Sequence, residues 1–221
     1  MDGMKPKVIM HTQISLDGCI KGFEDTGIYY RLSYQFNADM VLFGSNTVLA
    51  AAEFFNPIER ETDFVKPIAS PNDSRPFAVV PDSRGRLRNL HLFRNMEYIK
   101  DVIVLVSHST PDDYLDYLKK RNYDFIVAGN DHVDYSEALE ILNARYGCKT
   151  IRTDSGGILT NILLEQCLID EISLVISPCL VGIKTPGIFN SLDLQDRIQL
   201  KLIRSEIVDG DYLSLIYKVS K

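Results

Sequence analysis

The stretch Lys149–Leu180, KTIRTDSGGILTNILLEQCLIDEISLVISPCL, decides the class of fold. Lys149–Thr153 reads as a strand and Ser155-Gly156-Gly157 as the turn that ends it. A short apolar helix then begins near Ile158, and Glu171–Ser177 is a second buried strand closed by Pro178. Strand, glycine turn, helix and strand in succession belong to an α/β protein with parallel pairing. The glycine pair sits where a strand gives way to a helix, which is a place to hold a phosphate. Glycine lets backbone approach an anion closely, and the helix start turns unpaired N–H groups and its positive dipole end to the same point. A nucleotide cofactor suits such a turn. The same pair also makes an ordinary tight turn, so taken alone it leaves both readings open.

Working outward, the alternation continues. Val8–Met10 opens a strand that Ser15-Leu16-Asp17-Gly18 ends with turn chemistry, and Tyr29–Phe36 has helical spacing. Met40–Phe43 is a buried-type strand ended by Gly44, after which Ser45-Asn46-Thr47 offer N-cap side chains for a helix over Val48–Phe54. Asn56–Arg75, polar and proline-rich, reads as a long surface excursion. Strands follow at Phe77–Val80 and Val102–Val106. Thr110-Pro111 then reads as N-cap and first helical position of a helix over Tyr114–Lys120. Phe125–Ala128 is a strand and Glu137–Tyr146 a helix. The last third holds two strands, Ile198–Glu206 and Asp211–Val219, about an Asp209-Gly210 hairpin turn. The expectation is an α/β fold: a mostly parallel central sheet with helices on both faces, an antiparallel C-terminal hairpin, and one domain over residues 1–221.

Composition narrows the function. The 221 residues carry a formal net charge of -6, which argues against nucleic-acid binding through bulk electrostatics. Cys19, Cys148, Cys167 and Cys179 stand singly, and His91, His108 and His132 lack ligand spacing, so no metal site and no disulfide framework are expected. No apolar run reaches membrane-spanning length and Met1–Lys7 has no signal core, which fits a cytoplasmic protein without a membrane partner.

In open α/β sheets ligands bind beyond the carboxyl ends of the strands, here after Phe43, Val80 and Arg152. Gly44-Ser45-Asn46-Thr47 offers a helix start with hydroxyls, Ser83-Arg84 and Arg86 offer anion donors, and Ser155-Gly156-Gly157 offers the glycine-lined turn. A dinucleotide with a pyrophosphate and a ribose 2′-phosphate uses all three, which favours NADP(H) over NAD(H). Arginines in a polar loop also stand as plain solvated charges. His11, at a strand end, reads either as a satisfied buried histidine or as a ligand contact. Asp170-Glu171 reads as a structural pair or a ligand contact.

Five segments in order, Ile14–Gly18, Ala38–Leu49, Val79–Arg84, Gly156-Gly157 and Leu168-Ile169-Asp170-Glu171 through Pro178–Gly182, resemble the riboflavin-biosynthesis pyrimidine reductases. The resemblance covers nearly the whole chain and implies a dihydrofolate-reductase-like fold. It points to a stand-alone reductase, because the zinc signature of the family's deaminase half is missing. The implied reaction is NADPH-dependent reduction of a 6-(5-phosphoribosylamino)pyrimidine, a small phosphorylated substrate, to the ribitylamino product. By the same resemblance Gly44, Thr47 and Ala51 fall on the cofactor, Asp82, Ser83 and Arg84 near its adenosine ribose-phosphate end, and Ser155, Gly156, Gly157 and Ile158 on its pyrophosphate. Ser15 and Asp17 face substrate, with Asp17 the catalytic candidate for substrate orientation or proton handling, or else a turn former. The family usually has lysine where this chain has Cys19, and Lys21 two residues on keeps the same strand face. It tends to have arginine where Gln35 stands, with Arg31 one helical turn earlier. Its common E-G-G is here Ser155-Gly156-Gly157, with Asp154 just before. Members commonly form homodimers, and Ile203, Ile207, Leu213, Leu215 and Ile216 read either as apolar surface for one or as core. These departures keep open a reductase of another pterin-like or carbonyl substrate, or a non-catalytic NADP(H)-binding protein.

Overall fold

The computed structural model describes residues 4–23, 26–68, 70, 72–182 and 184–220. It groups into two compact units, Met1–Pro6 with Ala38–Ile151, and Lys7–Asn37 with Arg152–Lys221.

In the second unit the chain opens with β1 (Lys7–Ser15), followed by helix α1 (Gly27–Ser33) and a 3-10 turn over Tyr34–Phe36. In the first unit β2 (Met40–Leu42), β3 (Phe77–Pro81), β4 (Val102–Val106) and β5 (Asp124–Val127) lie parallel in the order β5-β4-β3-β2. β4, VIVLV, is buried at every residue, as a strand covered on both faces must be. The core of this unit joins Val41, Ala78, Val80 and Val104 to Leu87, Leu90, Tyr114 and Leu118. Among the described residues the helices here are α2 (Ser45–Phe55), α3 (His91–Arg94), α4 (Asp112–Lys120) and α5 (Tyr135–Tyr146). In α4, Asp112 and Asp113 occupy the first turn and Lys119 and Lys120 the last, each sign at the dipole end that favours it. Asp134 caps α5 by accepting the Glu137 N–H at 3.0 Å, and Gly147 ends it at φ +66°.

Two N-caps differ from the sequence expectation. Gly44, in extended backbone, caps α2, so Ser45, Asn46 and Thr47 already lie within its first turn. Pro111 caps α4, because the Thr110 hydroxyl is taken by the loop: it accepts the Ser107 N–H at 3.0 Å and donates to the Ser83 carbonyl at 3.0 Å. The excursion after α2 includes residues 69 and 71, outside the described residues. Its middle is anchored: Asp63, buried in a 3-10 turn over Glu61–Phe64, accepts the Arg60 N–H at 2.7 Å and the Asn95 amide at 2.9 Å. Nearby, the buried Arg94 pairs with Asp101 at 2.7 Å and donates to the carbonyls of Asp63, Arg121 and Asn122.

β6 (Thr150–Thr153) passes in sequence from one unit into the other, and α6 (Gly157–Glu165) follows it. In the second unit β1 pairs in parallel with β7 (Glu171–Ser177), and β7 pairs antiparallel with β9 (Tyr212–Val219). β9 pairs antiparallel with β8 (Leu200–Val208). Asp209 at φ +48° and Gly210 at φ +89° make the hairpin turn that their sequence announces. The fold is therefore mixed α/β, mostly parallel, with an antiparallel C-terminal pair of strands. No helix among the described residues is long and apolar enough to cross a membrane.

Candidate active site

In the first unit the loops beyond β2, β3 and β4 meet. The start of α2 carries no side-chain cap, so its first N–H groups stand available. Thr47 is exposed there and Ala51 is half-buried one turn on. The Arg86 guanidinium reaches Asn46 Oδ1 at 3.5 Å, bringing the loop beyond β3 against that helix start. Within the loop, Asp82 is buried and its carboxylate accepts the Leu87 N–H at 2.7 Å. Asp82 thus shapes the loop from inside. Ser83 is half-buried and Arg84 exposed, on the outer side of the same turn. Sequence reasoning missed the hydroxyl group Ser107, Ser109 and Thr110 beyond β4, tied to Ser83 through Thr110. Its signal was the Ser107-His108-Ser109-Thr110-Pro111 run.

In the second unit the end of β1 turns back through Ser15–Cys19. Ser15 is fully buried; its hydroxyl donates to Asp17 Oδ1 at 2.5 Å and accepts the Cys19 N–H at 2.9 Å. Asp17 also accepts the N–H groups of Val181 at 3.2 Å and Gly182 at 2.7 Å. The hydrogen bond from Ser15, then those from Gly182 and Val181, hold its carboxyl down at about 2. Ser15 therefore holds the turn from inside. Asp17 latches this turn to the loop beyond β7, and a carboxylate so firmly ionised is a poor proton donor at neutral pH. Lys21 is exposed and makes no hydrogen bond or ion pair among the described residues. Arg31 is paired with Asp209 in the hairpin turn at 2.7 Å. Gln35 accepts from the Arg204 guanidinium of β8 at 3.1 Å, so a cation stands beside the position where resemblance led us to expect arginine.

His11 is buried and stacked on Tyr29 at 4.7 Å. Its Nε2–H donates to the Tyr29 carbonyl at 3.0 Å, which leaves Nδ1 to accept the Ser173 hydroxyl at 3.0 Å. Burial, then the Arg152 charge, push its pKa down to about 3. It is the satisfied, neutral histidine of the two sequence readings.

The turn between β6 and α6 separates its two glycines. A Cβ on Gly157 would lie 2.7 Å from the Ile188 carbonyl oxygen, so that glycine is demanded by packing. A Cβ on Gly156 would meet only the Ile20 side-chain tip at 3.4 Å, an ordinary contact. Gly156 is the N-cap of α6 and no side chain caps that helix. It is therefore Gly156 whose bareness the fold leaves open to a ligand, with Ile158 exposed one residue beyond Gly157. Beside it the Ser155 hydroxyl is buried with no partner among the described residues, and Arg152 pairs with Asp154 at 3.1 Å. Among the described residues no three His, Cys, Asp or Glu side chains gather as a metal site.

Comparison with known proteins follows this geometry. Residues 6–214 match the RibD C-terminal domain. The chain is 30% identical over 223 aligned positions to a 2,5-diamino-6-ribosylamino-4(3H)-pyrimidinone 5′-phosphate reductase of Methanothermobacter thermautotrophicus, covering 95% of this chain and 97% of that protein. In fold it is similar to a pyrimidine reductase-like protein from Corynebacterium diphtheriae, with a TM-score of 0.73, 17% identity, and 98% and 92% of the two chains covered. It is also similar to Acinetobacter baumannii RibD, with a TM-score of 0.70, 19% identity and 98% of this chain covered; there it spans 58% of the longer protein. With the match running through both units, from β1 to β9, the chain belongs to the RibD C-terminal domain family, the riboflavin-biosynthesis pyrimidine reductases.

Proposed function

We propose that residues 1–221 act as a single reductase domain that reduces a 6-(5-phosphoribosylamino)pyrimidine to its ribitylamino product with NADPH. The observation that carries this reading is the near full-length 30% identity to an archaeal protein named as such a reductase. That relative's name favours the 2,5-diamino form of the pyrimidine as substrate.

The residues present fit the cofactor. Gly156 leaves the uncapped start of α6 open, and the buried Ser155 hydroxyl lacks a partner that a phosphate oxygen supplies. Taken by itself, the first unit also suits such a cofactor: Gly44 and Thr47 stand at an uncapped helix start with Ala51 one turn on, and Ser83 and Arg84 offer donors for a 2′-phosphate. When bound, NADPH supplies the hydride. The protein's own task is then to fix the sugar carbon, keep water out and deliver one proton. Lys21, an exposed cation four residues beyond Asp17, is suited to the substrate's 5′-phosphate. Arg31 would reach substrate only by leaving Asp209.

We further infer a cytoplasmic homodimer. Ile203 and Ile207 of β8 stand 53% and 76% exposed, whereas Ile216 of β9 is buried in the core. Light scattering of Ile203→Lys/Ile207→Lys would then report a monomer.

The experiment is NADPH oxidation by the purified chain, with the 2,5-diamino and the 5-amino-uracil phosphoribosyl compounds offered in parallel. Turnover of either supports the reading and orders deamination against reduction. NADPH binding without turnover of either refutes it in favour of another substrate or a binding role.

A further inference from the structure

Within nine residues, Thr153 to Asn161, five buried side-chain atoms have no hydrogen-bond partner among the described residues: Thr153 Oγ1, Asp154 Oδ1, Ser155 Oγ, Thr160 Oγ1 and Asn161 Oδ1. Thr153, Thr160 and Asn161 are 1% exposed or less. Buried polar groups are ordinarily paired, so this concentration marks a place where a ligand or its waters complete the bonds. It lies at the carboxyl end of β6 and the open start of α6.

Asp154 is the one acid among the five. Its side chain is 11% exposed, Oδ2 accepts from the Arg152 guanidinium at 3.1 Å, and Oδ1 accepts nothing. The first turn of α6 contributes no acidic residue beside it. On β1 the group that senses Arg152 is His11, which is neutral and held by Ser173 and the Tyr29 carbonyl. Burial pushes the Asp154 carboxyl up to about 7. Asp17, held at about 2, lies at the other extreme.

We propose that Asp154 is the proton donor of the reduction, giving its proton to the ribose ring oxygen of a substrate reaching the carboxyl end of β6. The assignment rests on the reaction proposed above. In that reaction the exocyclic nitrogen's lone pair forms a C=N bond to the ribose C1′ as the C1′–O4′ bond breaks. The departing O4′ takes the proton from the Asp154 carboxyl and becomes a hydroxyl. Hydride from the dihydronicotinamide then adds to C1′, the C=N electron pair returns to nitrogen, and NADPH becomes NADP+. One hydride and one proton are consumed, and Asp154 regains its proton from solvent.

The test uses the full chain. Wild-type kcat should fall as pH rises through about 7. In protein labelled with carbon-13 at aspartate carboxyls, one resonance should titrate near the same pH and be missing from Asp154→Asn. That variant keeps an oxygen for Arg152, so a purely structural role survives in it. Its kcat should drop roughly 10²- to 10⁴-fold with unchanged NADPH affinity, and Asp154→Glu should recover part of the loss. Wild-type turnover that stays flat through alkaline pH, no aspartate titrating near neutrality, or an Asp154→Asn protein with wild-type kcat overturns the assignment alone. Should Asp154→Asn melt early, the wild-type pH profile and titration decide. A wild type that binds NADPH but reduces neither pyrimidine overturns the reaction itself and this assignment with it.

Discussion

Replacing each glycine of the β6–α6 turn by alanine should separate a packing glycine from a ligand glycine. Both sit at negative φ, so alanine brings no left-handed strain at either position. At Gly157 the new methyl would lie 2.7 Å from the Ile188 carbonyl oxygen, well inside van der Waals contact. That oxygen has little room to retreat, because Ile188 is 2% exposed and its N–H is bound to the Gly18 carbonyl at 3.0 Å. Overpacking of this kind costs about 1–3 kcal/mol. For a chain of this size that is a fall in melting temperature of roughly 2–12 °C. At Gly156 the methyl meets only the Ile20 tip at 3.4 Å, so stability should change by no more than about 0.5 kcal/mol. The same methyl would stand before the uncapped N–H groups of α6, where a pyrophosphate must come closest, and NADPH affinity should fall about tenfold or more. Calorimetry of both variants, with NADPH titration by fluorescence, reads both effects. If Gly156→Ala binds NADPH like wild type, or destabilises as much as Gly157→Ala, the division of roles is wrong.

Three further outcomes can be measured. Arg84→Ala should weaken NADPH binding by about 1.5–3 kcal/mol, the value of a charge-assisted contact, and leave NADH binding unchanged; an equal loss for both removes Arg84 from the 2′-phosphate. Two buried groups should give stability opposite slopes in mild acid. His11 falls from 6.5 unfolded to about 3 folded, so the unfolded chain binds the extra proton and stability is lost as pH drops through that window. Asp154 rises from 3.8 to about 7, so the folded chain holds the extra proton and stability is lost as pH rises from about 4 to 7. Urea denaturation between about pH 4 and 6.5 should therefore show Asp154→Asn gaining stability with pH at up to about 1.4 kcal/mol per unit, and His11→Asn losing it; matching slopes in the two variants refute the assignment. Asp17→Asn turns an amide donor toward the N–H groups of Val181 and Gly182, so hydrogen exchange there should quicken while the global melt is kept.

Much of the fold was legible because its signals are local. A continuous apolar run such as Val102–Val106 and an Asp-Gly pair between alternating strands carry their structure within a few residues. What stayed hidden depends on partners far along the chain. Nothing near Gly157 in sequence tells it from Gly156, since its constraint is a carbonyl at Ile188. Thr110 looks like an N-cap until Ser107 and Ser83 claim its hydroxyl. Asp17 sits before a glycine as a turn former does, yet its partners, Val181 and Gly182, lie on another loop. The apolar residues of the terminal strands read alike in sequence, and only pairing makes β9 inner and β8 an edge whose isoleucines face outward.

The two carboxylates nearest the proposed chemistry are set apart by their surroundings, and that separation assigns their roles. Asp17 is exposed and saturated with donors, so ionisation is its resting state and its use is mechanical, keeping the loop beyond β7 against the end of β1. Asp154 is buried with one oxygen unpartnered, so near neutrality it keeps a proton that a bound substrate can take. Acid and structural roles divide in this way wherever environment drives two like groups apart in pKa. The cationic side has moved in parallel: Gln35 carries no charge, but β8 brings Arg204 to it. Arg31, the arginine nearest in sequence, is turned to the hairpin at Asp209. Arg204 is itself paired with Glu206, as Arg31 is with Asp209, so the exposed Lys21 is the cation suited to a substrate phosphate at the second unit, and charge reversal at Lys21 should raise KM with little change in kcat, since binding and not the proton is what that change removes.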